Sequence, residues 1–127
     1  MLLAPILSVL VSAAGAGADD KPLPPIEARK KVGDTITVEL TVRTTKDRLE
    51  ARGEIYLDAE LDFKDEKNFA VVITKAGAAK LKEAGIDDPA TYYKDKKIRA
   101  TGVVKEVDKV PRIEIDDAKQ IKVVEDK

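Results

Sequence analysis

The side chains that most often carry covalent chemistry are missing from this chain. It has no cysteine and no histidine. That removes thiolate nucleophiles, imidazole bases, disulfides and zinc sites of the usual kind together. Carboxylates are plentiful, but no pair of them sits in a readable acid–base context. Asp58, Glu60 and Asp62 have the alternate spacing that opens a calcium loop. A loop begun at Asp58 would need glycine where Phe63 stands and glutamate where Phe69 stands, so the pattern fails and a solvated acidic loop is expected. A looser calcium site would use Asp58, Asp62 and Asp65. Lys75-Ala76-Gly77 lacks the flanking glycine and the Lys-Ser/Thr spacing of a phosphate loop. The expectation is therefore no enzyme, no metal and no cofactor. The chemistry left is non-covalent: aromatic rings that can stack and cations that can follow a charged backbone.

Both resources are limited and unevenly placed. The 23 Lys and Arg are offset by 24 Asp and Glu, a net charge of −1, so there is no global basic surplus of the kind that phosphate binders usually show. Locally the balance tips both ways. Residues 43–52 set Arg43, Lys46, Arg48 and Arg52 against Asp47 and Glu50. Residues 54–66 set Glu54, Asp58, Glu60, Asp62, Asp65 and Glu66 against Lys64 alone, a stretch that would repel phosphates.

These residues need a scaffold, and hydrophobic period supplies one. Residues 35–43 alternate cleanly, with Ile36, Val38, Leu40 and Val42 on one face, which reads as a half-buried strand. Residues 44–48 read as a polar turn. A second strand spans 49–58, with Gly53 at a bulge or bend and with Ile55 and Leu57 opposite Tyr56. Residues 59–68 read as a charged loop. Residues 69–73 are apolar throughout, as expected of a strand covered on both faces. Thr74 caps a helix over 75–84 with Ala78 and Leu81 inward, closed by Gly85. Asp88-Pro89 starts a further short turn. Residues 97–104, with Gly102 at a bend, and 111–116 make two more strands, with Ile98, Ala100, Ile113 and Ile115 inward. Residues 105–110 read as the charged turn between them. Residues 121–124 continue the sheet or cross its end. Three strands, one helix, then two strands is the order of a mainly β, five-stranded Greek-key OB-fold barrel, with its helix between strands three and four.

The first residues carry a different signal. Residues 1–18 hold no charge, contain an apolar block from Leu2 to Val11, and end in Ala16-Gly17-Ala18. That pattern is expected of a cleaved signal peptide, and the block is short for a membrane span. The organisation expected is a signal peptide over 1–18, a Pro-rich lead-in over 19–31, an OB domain over 32–124 and a tail over 125–127. No span is expected in the mature chain, and the address expected is periplasmic or secreted.

The run Gly53-Glu54-Ile55-Tyr56-Leu57-Asp58, then Asn68-Phe69-Ala70-Val71-Val72-Ile73, resembles the second and third strands of small OB-fold domains of exported bacterial proteins. Residues 93–104, followed by Pro111-Arg112-Ile113-Glu114-Ile115, are similar to tRNA-anticodon-type OB domains. Those domains often carry a Tyr-x-Gly-Lys turn before a strand ending Thr-Gly-x-Val. Here Asp95 takes the place of the glycine. The resemblance implies binding on the outward face of strands two and three, framed by the loops after strands one and four. It points to Tyr56, with Phe63 and Phe69 nearby, to Arg43, Lys46, Arg48 and Arg52 in the first loop, and to Lys105, Lys109 and Arg112 around the last. The expected role is a binding module for single-stranded nucleic acid or another oligomeric ligand. The alternative is an adaptor or envelope-stress protein that takes a protein partner on its sheet edge or acidic loop.

Overall fold

The computed structural model describes residues 21–124, so the expected leader over 1–18 and the tail over 125–127 fall outside the described residues. Among those described, the elements run α1 (Pro25–Ala28), β1 (Thr35–Thr41), β2 (Thr44–Arg48), α2 (Leu49–Arg52), β3 (Glu54–Asp58), β4 (Ala70–Thr74), α3 (Lys75–Glu83), α4 (Pro89–Tyr93), β5 (Lys97–Val107), β6 (Val110–Ile115), a 3-10 turn (Ala118–Gln120) and β7 (Ile121–Val123). The strands pair in the order β1-β5-β6-β4-β3-β2, with β7 added to β5. All neighbours are antiparallel except β4 and β6. No helix among the described residues is long and apolar enough to cross a membrane.

The fold is mainly β and OB-like, but the expected five-stranded closed barrel is corrected to a seven-stranded sheet that does not close. The expected first strand is cut in two by its own hydrogen bonds. Val42 donates its amide to the Lys96 carbonyl, while the next residue, Arg43, donates to Asp58. Consecutive amides thus turn to opposite neighbours, and the chain passes from one end of the ladder to the other without pairing β1 to β2. The outer edge of β1 is occupied by the lead-in. Leu23 donates to Thr37, and Glu39 donates back to Leu23. Ala28 of α1 is fully buried in the core, so this part of the Pro-rich segment packs onto the sheet.

Two local expectations also change. Residues 44–48, expected as a turn, form β2. Residues 49–52, expected as strand, form the single turn α2. Asp47 accepts from the Leu49 amide, and Gly53 turns left-handed (φ 75°) so that its amide can bond back to Leu49. Only glycine takes that backbone without strain. The strand then starts at Glu54 and keeps the expected parity, with Ile55 and Leu57 buried in the core.

The rest of the core follows the hydrophobic pattern. Phe69 is fully buried, as are Val71 and Val72, so β4 is covered on both faces as expected. The Thr74 hydroxyl accepts from the Gly77 amide and starts α3. Gly77 is itself buried against β6: a Cβ there would lie 2.0 Å from the Ile115 carbonyl oxygen. At the far end Ile86 donates to Leu81, the bond of a Schellman cap, and Ile86 packs on the core. The single helix expected before the fourth strand is joined by α4, which Pro89 opens behind the Asp88 cap and which buries Tyr93. Asp95 adopts φ 67°, the backbone that the resemblance assigns to glycine. Strand β5 outlasts its expected end at 104, because the turn is only Asp108-Lys109. Both residues have positive φ, as a two-residue type I′ hairpin demands.

Candidate functional site

Register places the candidate residues in rows across the outward face. One row reads Lys46, Tyr56, Val72, Glu114; the rows beside it hold Arg48, Glu54 and Thr74, and Thr44, Asp58, Ala70 and Arg112. Strand alternation therefore brings Lys46, Arg48 and Tyr56 onto one surface. Arg52, the last residue of α2, joins them through its charge on Glu54 and a hydrogen bond with Tyr56.

Arg112 is not the loop cation expected from the sequence. It lies inside β6 and is only 8% exposed. Its Nη1 is 3.0 Å from Glu54 Oε2 and 3.6 Å from Glu114 Oε2. The bond to Glu54 runs diagonally over the row of Val72, which explains why an outward-pointing valine has no exposed surface. Lys105 in turn binds the other oxygen of Glu114 at 3.0 Å. Tyr56 donates its hydroxyl to Glu54 Oε1. Burial alone would push the Glu54 carboxyl up. The bonds from Tyr56 and Arg112, with the charges of Arg112 and Arg52, outweigh it and hold the group below its ordinary range. For Tyr56, burial and then the bond to Glu54 push the phenol up. The centre of the face is thus a network whose charges are largely spent on one another. Sequence reading missed Glu54 and Glu114 as its hubs, although the alternation Arg112-x-Glu114 was there to suggest one face.

Phe63 lies at the margin of this network. It is 46% exposed, with Lys46 Nζ at 5.4 Å and Lys64 Nζ at 5.7 Å from the ring centroid. The residue that fixes its loop is Asn68, fully buried and also missed from sequence. Its Oδ1 accepts from the amides of Ala59 and Glu60, and its Nδ2 donates to Asp58 Oδ1 and the Phe63 carbonyl. Arg29 closes the set by donating to the Asn68 carbonyl at 2.6 Å. Burial raises the Asp58 carboxyl against the opposing bond from Asn68 and charge of Lys46. Asp62 and Asp65 cap turns within the loop by accepting from Lys64 and Lys67. Among the described residues no cluster of three or more acidic side chains is placed to hold a metal ion.

Arg43 stands apart from the face. It is exposed beside a groove bounded by Thr44, Thr45, Leu61, Ala90, Thr91, Lys94 and Asp95. The fold brings Lys46, Arg48, Arg52, Tyr56 and Phe63 to one side, buries Arg112 beneath them, and sends Arg43 round the edge.

No protein-family model matches the sequence, and no curated protein matches it. Solved structures do match the fold. Asparaginyl-tRNA synthetase from Pyrococcus horikoshii superposes with a TM-score of 0.54 at 13% identity, covering 82% of this chain and 23% of that one. A putative aspartyl-tRNA synthetase from Leishmania major Friedlin gives 0.54 at 12%, covering 98% and 23%. Aspartyl tRNA synthetase from Entamoeba histolytica gives 0.52 at 13%, covering 98% and 26%. The chain spans about a quarter of each synthetase. The likeness is one of fold, and it supports the OB-type resemblance.

Proposed function

We propose that this chain is a non-enzymatic, exported binding module that takes single-stranded nucleic acid on the outward face of β2, β3 and β4. The observation that carries this reading is the pairing of rings with cations at the face's margin. Lys46 and Lys64 both stand over the Phe63 ring, and Lys46 is directly across the strand pair from Tyr56, with Arg48 and Arg52 on the same side. Rings accept bases of any sequence and cations follow the phosphates. The carboxylates at the centre have a consequence for the mode. With Glu54 and Glu114 already holding Arg112, phosphates run along the β2 side, past Lys46, Arg48 and Arg52, and bases lie toward Tyr56.

The test is fluorescence anisotropy with a labelled oligothymidylate. Binding should fall steeply as salt rises, and Tyr56→Ala and Arg48→Ala should each weaken it by roughly tenfold. Absence of binding at low salt removes the reading. The export part is tested separately, by cell fractionation and the mass of the mature chain. A second reading, a protein partner on the acidic loop, is favoured by Leu61, which is 70% exposed between Glu60 and Asp62. Charge reversal at Asp62 and Asp65 should abolish recovery of one partner from envelope extract if that reading holds.

A further inference from the structure

We propose that the groove between β2, the tip of the 59–68 loop and α4 is a second site, which holds one phosphate-bearing nucleotide. This deepens the nucleic-acid reading and rests on it for the ligand class, but it uses different residues from the outward face.

Arg29, Arg99 and Arg112 each donate to an acceptor on the protein. The Arg43 guanidinium has no hydrogen-bond or ion-pair partner among the described residues. Its backbone is nonetheless well fixed: the Arg43 amide donates to Asp58 at 2.8 Å, and the neighbouring Thr44 hydroxyl donates to the Leu61 carbonyl. A pinned base with an uncommitted planar fork suits bidentate recognition of phosphate. Lys94 shares the groove. Among the described residues its ion pair is with Asp95 at 3.8 Å, and both side chains are well exposed, so that pair is weak and easily exchanged. Two cations on one cleft match the double charge of a phosphate monoester.

The groove is larger than phosphate alone needs, and Leu61 and Ala90 give it two apolar patches. It is an open depression of about 710 Å³, wide enough for a nucleotide-sized ligand. Leu61 projects into solvent at one wall although its loop is tied down by Asn68, and Ala90 lies at another. An exposed leucine held in place beside unspent cations fits a ligand with a flat, weakly polar ring attached to its phosphate. Thr45 and Thr91 supply hydroxyls between the two ends. Thr44 is one strand position from Thr45 and on the same face as Lys46, so the groove continues from the cation-lined margin of the face. A terminal nucleotide of a bound strand and a free mononucleotide share this chemistry.

The experiment is amide-resolved NMR titration of the full chain. The probes are uridine 5′-monophosphate, inorganic phosphate, and a short oligothymidylate with and without a 5′-phosphate. Uridine monophosphate should shift the amides of Thr45, Leu61, Thr91 and Lys94. The Arg43→Ala/Lys94→Ala variant should lose about tenfold or more in affinity for it, while Tyr56→Ala leaves that affinity unchanged. Tighter binding of the 5′-phosphorylated strand than of its unphosphorylated twin identifies the strand end as the occupant; equal binding, with the mononucleotide still seated, identifies a free nucleotide. If strands fail to bind but the mononucleotide occupies the groove, this site stands and the face reading falls. Shifts confined to Tyr56 and its neighbours, unchanged affinity in the double variant, or inorganic phosphate binding as tightly as the nucleotide each overturn the proposal.

Discussion

Two cationic regions of this protein lie around opposite sides of β2 and have opposite electrostatic characters. On the outward face, Arg112 is buried under its own bonds to Glu54 and Glu114, and Tyr56 is tied to the same carboxylate. In the groove, Arg43 is exposed and has no partner among the described residues, and Lys94 has only a weak neighbour. The difference teaches that residue type and local charge do not by themselves mark a binding group. An arginine whose donors are filled supports the sheet; one with donors open is available to a ligand.

The sharpest way to break this contrast is to remove one partner from each region. Glu54→Ala leaves a nearly buried guanidinium half-paired and should cost roughly 3 kcal/mol of stability. Arg43→Ala should stay within about 0.5 kcal/mol, as for an exposed side chain without partners. Urea unfolding midpoints check both, and equal losses would collapse the distinction. Next in size is Asn68→Ala, which touches both regions because its loop carries Phe63 to one and Leu61 to the other. It strands the Glu60 amide, leaves the Ala59 amide only its bond to the Phe69 carbonyl, and removes the donor to the Asp58 carboxylate, and should cost about 2 kcal/mol while weakening ligand binding at both places.

Acid titration separates two carboxylates of the same face by sign. Glu54 is held below its ordinary value of 4.5, so its contribution is present above that pH and is lost as pH falls through the folded value. The stability gap between the parent and Glu54→Gln should therefore close in acid. Asp58 is raised above 3.8, so its ionisation costs stability as pH rises from 3.8 through the folded value. Asp58→Asn should accordingly gain on the parent over that same rise. Melting series from pH 3 to pH 7, read at roughly unit steps, check both directions. The smallest effect is at the groove's rim. Asp95→Gly relieves a left-handed residue and removes the counter-charge beside Lys94. A gain of about 0.5 kcal/mol is expected, after the extra chain entropy of glycine is offset against the strain relieved. Tighter nucleotide binding in the groove should accompany it.

Most of the scaffold was legible along the chain. Period-two alternation found β1 and the inward residues of β3, β5 and β6, the cap at Thr74 found α3, and the cap at Asp88 marked the start of α4, which was expected only as a turn. These signals are local, so hydrophobic pattern and hydrogen-bonding side chains carry them within a few residues. The failures cluster where a residue answers to a distant neighbour. The swap of partners at Val42 and Arg43, which splits the first strand and leaves the sheet open, depends on Lys96 and Asp58 and leaves no mark in the local pattern. Position 112 could be read as a cation, but its burial depends on Glu54, 58 residues away. Which side chains face inward and which charges exist could be read along the chain, because alternation and composition are properties of short segments. Which of those charges neutralise each other was set by the fold, because that turns on register between strands far apart in the chain.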